Sequence, residues 1–386
     1  MASRYLIIGA GFSGAVLANQ LVNNLDCSVE IWDERNHIAG NCHTKRDEQT
    51  DVMVHEYGPH IFNTDSKEIW EYVNSFVTFF PYVHRVKARC GNAIYSLPVN
   101  LHTINQFFNK TLSPPEAQLF LESLSDKSIT DPQNFEEQAL RFIGKELYQA
   151  FFYGYTKKQW GCEPNQLPAS FLKRIPVRFS YDDNYHNNRY TGIPSEGYTA
   201  VVEKIITHPA IFVRLNKKFI PGRDVSEYDH VFFTGALDGY FNHLYGRLGY
   251  RTVTFEKRYA GEDFQGAAQV NYCDLDVPYT RITEHKHFTP WEKHDRSVYF
   301  TEYSKETTEK DQPYYPKRTK ADKELLKLYR AEAEKQKKVS FLGRLATYRY
   351  MDMHHVIGEA LSFAKKFTEH CRNGQQPPVF SNVELY

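Results

Sequence analysis

Arg4–Ile8 is an apolar run that stops at Gly9-Ala10-Gly11-Phe12-Ser13-Gly14. From Ala15 to Asn23 the period changes, with Val16, Leu17, Gln20 and Leu21 at helical spacing. Val29–Asp33 is a second apolar run. The pattern predicts strand, turn, helix and strand, a βαβ unit that implies a parallel sheet. Two later fragments share this texture. His230–Thr234 is an apolar run ending in Gly235-Ala236. Val339–Leu342 reads as a strand, and Asp352–Lys366 as an amphipathic helix with Ile357, Ala360, Leu361, Ala364 and Phe367 on one face.

Two other textures lie between them. Residues 101–160 are rich in helix formers, with helices predicted over Thr103–Phe108, Pro115–Leu124, Phe135–Lys145 and Glu146–Tyr153. Residues 80–99, 170–190 and 250–303 alternate as strands do, for example Gln269-Val-Asn-Tyr and Ser297-Val-Tyr-Phe-Thr-Glu-Tyr. Lys317–Lys338 has nine basic against four acidic residues, but Leu325, Leu328 and Tyr329 make a stripe, so it reads as a solvated amphipathic helix. The expected organisation is α/β: a Rossmann-type domain from 1–79, 191–248 and 316–386, a helical domain over 100–165, and an antiparallel-sheet substrate domain from 80–99, 166–190 and 249–315.

Composition narrows the function. At 386 residues the chain is long enough for two or three domains. Lys+Arg and Asp+Glu both total 47, which argues against a general nucleic-acid binder or a protein held to anionic membranes by bulk charge. The 27 Tyr and 27 Phe suit binding clefts, because a tyrosine is apolar on its ring and polar at its tip. The six cysteines form no CxxC pair, which fits a reducing cytoplasm. The uncharged run Tyr5–Val22 is broken by glycines and is followed by no small-residue cleavage site, so no signal peptide or membrane insertion is expected.

The sharpest chemical signal is Gly9-x-Gly11-x-x-Gly14 between strand and helix, with Asp33 ending the next strand. The glycines let backbone approach a pyrophosphate, the helix N-terminus offers free N–H groups, and the acid accepts ribose hydroxyls. The polar turn Asp33-Glu34-Arg35-Asn36-His37-Ile38-Ala39-Gly40-Asn41 resembles that of glutathione-reductase and amine-oxidase flavoproteins. Thr234-Gly235-Ala236 and Gly343-Arg344 resemble their second and third fingerprints, which favours FAD.

Five further segments carry a more specific resemblance: Glu56-Tyr-Gly-Pro-His-Ile-Phe62, Tyr155-Thr-Lys-Lys-Gln-Trp-Gly161, Tyr279-Thr-Arg-Ile-Thr-Glu-His-Lys286, Pro313-Tyr-Tyr-Pro316 and Gly343-Arg-Leu-Ala-Thr-Tyr-Arg-Tyr-Met-Asp-Met353. In this order they resemble the bacterial UDP-galactopyranose mutases, over nearly the whole chain. The resemblance implies an isomerase that interconverts pyranose and furanose forms of a nucleotide sugar, through a covalent adduct with N5 of reduced flavin. It also implies NAD(P)H or another reductant, a cytoplasmic homodimer, and furanose supply for bacterial surface polysaccharide such as O antigen.

By the same resemblance, Arg174 and Arg281 clamp the diphosphate and His60 sits beside the isoalloxazine as a catalytic candidate. Phe151, Tyr155, Thr156, Trp160 and Tyr185 line the uridine and sugar, Asn271 contacts the nucleotide, and Tyr315 and Tyr350 reach the diphosphate. Tyr314 competes with Tyr315, because the register there is open by one residue. Gly9, Gly11, Phe12, Ser13, Gly14, Asp33, Glu34, Asn41, His60, Ile61, Arg344, Tyr350, Asp352 and Met353 hold the flavin.

Four positions depart from the family pattern: Ala39 for a glycine, Asn63 for a common His, Tyr279 for a common Trp, and His84 for a frequent Asn near the sugar. They leave the sugar open. UDP-galactopyranose is favoured, with TDP-fucopyranose or UDP-N-acetylgalactosamine as alternatives. An amine oxidase would share the dinucleotide signals but would not require a diphosphate clamp. Of Glu284, His285 and His287 only the two histidines share a strand face, so a zinc site there has no third ligand and no metal is expected.

Overall fold

The computed structural model describes residues 2–174, 177–224 and 226–381, apart from the side chains of Lys173 and Arg174. A five-stranded parallel sheet runs in the order Ile211–Arg214, Cys27–Trp32, Ser3–Ile8, His230–Phe233, Val339–Phe341. The three distant fragments therefore meet in one sheet. Its first edge strand is not evident in the sequence pattern, because Phe212, Val213 and Arg214 are exposed and only Ile211 is buried.

Alternation along these strands builds two cores. Tyr5, Ile7, Val29 and Ile31 face helices Phe12–Asn24 and Met353–Arg372, meeting Leu17, Leu21, Phe363 and Phe367. Leu6, Val231, Phe233 and Phe341 face helix Lys320–Glu334. Full burial of a side chain of this size contributes about 1.5–3 kcal/mol. In that last helix the buried stripe is Leu326, Tyr329 and Ala333, and Leu328 is exposed, so the expected stripe is displaced. Helix Phe12–Asn24 also starts earlier than the pattern suggested, because Gly11 is its N-cap and Ser13-Gly14 belong to its first turn.

The seven-stranded sheet runs Tyr315–Pro316, Tyr250–Ala260, Ser297–Glu306, Arg281–Glu284, Gln269–Tyr272, Val86–Cys90, Ala93–Leu97. Its pairs are antiparallel except Gln269–Tyr272 with Val86–Cys90, which is parallel. The alternation expected over 170–190 does not become a strand in the described part. Residues 177–189 are irregular, and strand Tyr190–Pro194 joins a separate three-stranded sheet. Asp182 and Asn184 accept backbone N–H groups two residues on, which offers the chain an alternative to a ladder.

The helical segment comprises Leu101–Phe108, Pro114–Leu124, Phe135–Leu147, a π-helical turn Tyr148–Tyr153 and Gly154–Trp160. Asn100 and Asn134 cap two of these helices by accepting the N–H groups of Thr103 and Glu137 at 3.0 Å. The last helix presses on the second sheet. A Cβ at Gly154 would lie 2.1 Å from the Cys273 carbonyl oxygen. Lys158 Nζ donates to the carbonyls of Tyr272, Asp274, Val277 and Tyr279 at 2.7–3.0 Å, so one ammonium gathers the loop that precedes Arg281.

Lys158→Met should leave those carbonyls unpaired and cost about 1–3 kcal/mol, read as a lower urea midpoint at unchanged m-value. A second expectation is acid sensitivity. His285 Nδ1 accepts the His55 N–H, and His230 shares a hydrogen bond with Ser340. Burial, assisted by Lys257 and Lys338 respectively, pushes the pKa of each down to about 3. The unfolded value is about 6.5. The folded pKa is the lower one, so this stability is present above pH ~6.5 and is lost as pH falls toward about 3. The urea midpoint should drop between pH 7.5 and 5, and His230→Gln should flatten the slope by up to about 1.4 kcal/mol per pH unit. A midpoint that does not move over that range would refute the assignment.

Candidate active site at the junction of the two sheets

A cavity of about 1510 Å³ opens at the carboxyl ends of the parallel strands and runs to the seven-stranded sheet. That exceeds the usual ~300–1,000 Å³ of a single small-ligand pocket, so it can hold two ligands end to end.

The first end is built from glycine backbone. Gly9 has φ +107°, and a Cβ there would lie 2.1 Å from Thr234 Oγ1. Gly11 and Gly40 approach so closely that a Cβ on Gly40 would be 3.3 Å from the Gly11 Cα. Ala39 takes φ 72° while buried, so the departure from glycine keeps the left-handed turn at some steric cost, and its N–H is tied to Ala10. Asp33 accepts the N–H groups of Ala10 and Arg35, both at 2.9 Å, and lines the cavity. Phe12, Ser13, Glu34, Asn41, Ile61, Asp352 and Met353 line it too. Gly14 does not. A Cβ there would meet the Gly9 carbonyl at 2.1 Å, so Gly14 serves close packing of helix on strand. The N-termini of helices Phe12–Asn24 and Met353–Arg372 both open here, offering free N–H groups and partial positive charge.

Arg344 marks the boundary with the second end. Its guanidinium carbon lies 4.8 Å from the ring centres of both Tyr315 and Tyr350, and its Nε and Nη2 are buried without a protein hydrogen-bond partner. Buried donors of this kind are costly unless something completes them. Glycine cradle, helix ends and unsatisfied guanidinium together fit a large anionic dinucleotide.

The second end follows sheet register. Asn271 pairs with Arg281, and Arg281 pairs with Glu302, so the three side chains share one face. Arg281 Nε donates to Glu302 at 2.8 Å, and Glu302 is 1% exposed. The nearby carboxylate keeps Arg281 charged despite burial. Tyr155 and Tyr315 stand beside it. Burial raises both hydroxyls, Tyr315 to about 12, so both remain donors. Phe151, Thr156, Trp160, Tyr185 and His84 complete this wall. Tyr314 instead packs against Tyr57 and is absent from the lining. His60 donates from Nδ1 to the Gly58 carbonyl at 2.7 Å, and burial pushes its pKa down to about 4. The ring is neutral, so Nε2 is left as an acceptor. Arg174 ends the turn Ala169–Arg174, and its side chain lies outside the described residues.

Sequence reasoning missed Glu302, Gln269 and Phe152. Glu302 lay within a predicted strand, but only register reveals that it faces Arg281. The zinc alternative changes composition. His285 turns toward Phe300, while Asp263 joins Glu284 and His287 with ligand atoms within 4.8 Å of one another. Glu284 already accepts the N–H groups of Phe264 and Gln265 and the Ser297 hydroxyl, which accounts for the cluster as a structural knot.

Residues 150–350 match the family model for UDP-galactopyranose mutase, and 7–76 match an NAD(P)-binding Rossmann-like domain. The chain is 54% identical to a probable UDP-galactopyranose mutase of Klebsiella pneumoniae, over 97% of each protein. It is 50% identical to a dTDP-fucopyranose mutase of Escherichia coli, over 95% of this chain and 98% of the relative. The crystal structure of a reduced UDP-galactopyranose mutase superposes with a TM-score of 0.73 at 14% identity, covering 96% of each chain. A cyclohexylamine oxidase from Brevibacterium oxydans shares the fold alone, with a TM-score of 0.60 at 12% identity, over 96% of this chain and all of that one. The family model spans the aromatic helix, the Arg281 strand and the Arg344 turn, and the full-length relatives extend the match to both ends: this chain belongs to the UDP-galactopyranose mutase family.

Proposed function

We propose that the protein is an FAD-dependent mutase that interconverts the pyranose and furanose forms of UDP-galactose. The observation that carries this reading is the placement of Arg281, paired to Glu302 and flanked by tyrosine hydroxyls, next to the unsatisfied Arg344 at the junction of the two cavity ends. Reduced flavin, when bound in the glycine cradle, supplies a nucleophilic nitrogen for the anomeric carbon.

The chain's own residues supply the rest. Glu302 holds one edge of Arg281, leaving the other edge to face a diphosphate in the cleft. Charge on the departing diphosphate oxygen grows in the transition state, so a fixed guanidinium stabilises that state more than the ground state. Tyr155 and Tyr315 donate to the same oxygens. His60 Nε2 accepts a proton or hydrogen bond beside the flavin position. The aromatic wall excludes water and stacks the uridine and sugar face. Arg174 is the second arm of the clamp by motif.

A second reading keeps the chemistry and changes the sugar to a TDP-linked 6-deoxy hexose. The relative from Escherichia coli favours it, and His84 in place of Asn leaves the sugar open.

Four measurements test the proposal. Denatured protein should release FAD. Turnover should appear with dithionite or NAD(P)H and nearly vanish in air; equal rates for oxidised and reduced enzyme would rule the mechanism out. Arg281→Ala and Arg174→Ala should each lower kcat by about 10²–10³-fold with FAD retained. If both keep more than a tenth of wild-type turnover, above that estimate, the clamp is wrong. Competition between UDP-galactose and TDP-fucose decides the sugar, and a preference above ~100-fold for TDP-fucose, about 2.7 kcal/mol, overturns the first choice.

A further inference from the structure

The sugar end of the cleft contains a polar chain that the clamp leaves unused. Gln269 and Asn271 stand two residues apart on strand Gln269–Tyr272, so both face the cavity. Gln269 Nε2 donates to Asn271 Oδ1 at 2.8 Å. That bond orients the amide and leaves its carbonyl oxygen as the free end. His84 lies two residues before Val86, whose backbone pairs with Gln269. It is 3% exposed, lines the same cavity, and has the Gln269 side chain as a neighbour that favours a proton on its ring. Nδ1 is buried without a hydrogen-bond partner, so contact with Gln269 falls to Nε2.

An imidazole that meets a carbonyl oxygen must donate to it. Burial, with His186 and Arg281 nearby, keeps this ring neutral, its pKa pushed down to about 3. A neutral imidazole has one donor and one acceptor. Donation to Gln269 therefore leaves the second nitrogen as a bare acceptor. Tyr82, Tyr185, His186 and Phe288 pack around the ring and limit its rotation. An asparagine at this position would present either a donor or an acceptor; this arrangement presents only an acceptor.

We propose that Gln269 is a positioning residue that sets His84 as a hydrogen-bond acceptor for one sugar hydroxyl, and that this pair selects against the sugar lacking that hydroxyl. The inference rests on the nucleotide-sugar reading. A site built to bind a hydroxyl rejects its deoxy analogue because a buried polar group is then left unpaired.

The test uses reduced, FAD-loaded enzyme with UDP-galactose, TDP-fucose and monodeoxy analogues of each. Wild type should discriminate against one monodeoxy analogue by more than about tenfold in kcat/KM. Gln269→Leu should erase that discrimination, with KM for the parent sugar rising more than kcat falls. Gln269→Glu still accepts from His84 but adds a charge, so it should introduce an inflection in KM between pH 5 and 8 that wild type lacks. A merely structural glutamine would give neither the selective loss nor the inflection. Normal wild-type turnover, with discrimination unchanged in Gln269→Leu and no inflection in Gln269→Glu, overturns this inference alone. Absence of wild-type turnover on every nucleotide sugar overturns the functional reading and this inference with it.

Discussion

The ion pair between Arg281 and Glu302 is the constraint on which the site depends. Glu302 is removed from water and Arg281 largely so, which is costly for each charge alone and tolerable because they meet at 2.8 Å with the geometry of adjacent strands. Thr280 also donates to Glu302, so the carboxylate is held on two sides. The pair is close to neutral, and this shapes the rest of the cleft. Attraction for an anionic ligand then draws on other groups, among them the unsatisfied nitrogens of Arg344, the cavity-lining Arg35, Lys217 and Arg247, and the two helix N-termini. The pair contributes direction more than net charge.

That direction is maintained from a distance by Lys158. Its ammonium draws together four carbonyls of the turn that leads into strand Arg281–Glu284. The same helix, through Tyr155, Thr156 and Trp160, forms the aromatic wall. One short segment therefore presents rings to the cleft on one side and fixes the charged strand on the other. Gly154 allows the close approach that makes this possible. The residue type follows from reach and donor geometry: a lysine brings three donors on one compact atom, at the end of a long stem, to a cluster of carbonyls.

The two ends of the cavity differ in how they recognise a ligand. The dinucleotide end is mostly backbone: glycines at Gly9, Gly11 and Gly40, and helix N–H groups. The other end is mostly side chain, with aromatic planes, tyrosine hydroxyls and a guanidinium. Backbone recognition suits a ligand part shared across a superfamily. Side-chain recognition can vary residue by residue, and it is there that His84 and Asn63 line the cavity.

Local patterns alone carried the βαβ start, the glycine turn, the main helices and the motifs, because their signals lie within a few residues. Most of the residues they named, such as Tyr155, Trp160 and Arg344, do line the cavity, since these sit inside short contiguous motifs. What they did not carry depends on pairing. Glu302 opposite Arg281 and Gln269 beside His84 join residues 21 and 185 positions apart, and only strand register brings them face to face. The exposed edge strand Ile211–Arg214 and the displaced stripe of Lys320–Glu334 failed for a related reason: burial there is set by what packs against the element. The sequence by itself determined the elements, the dinucleotide turn and the chemical groups available. Tertiary structure decided which groups meet, because contacts across a sheet are specified by register and packing, which no local window contains.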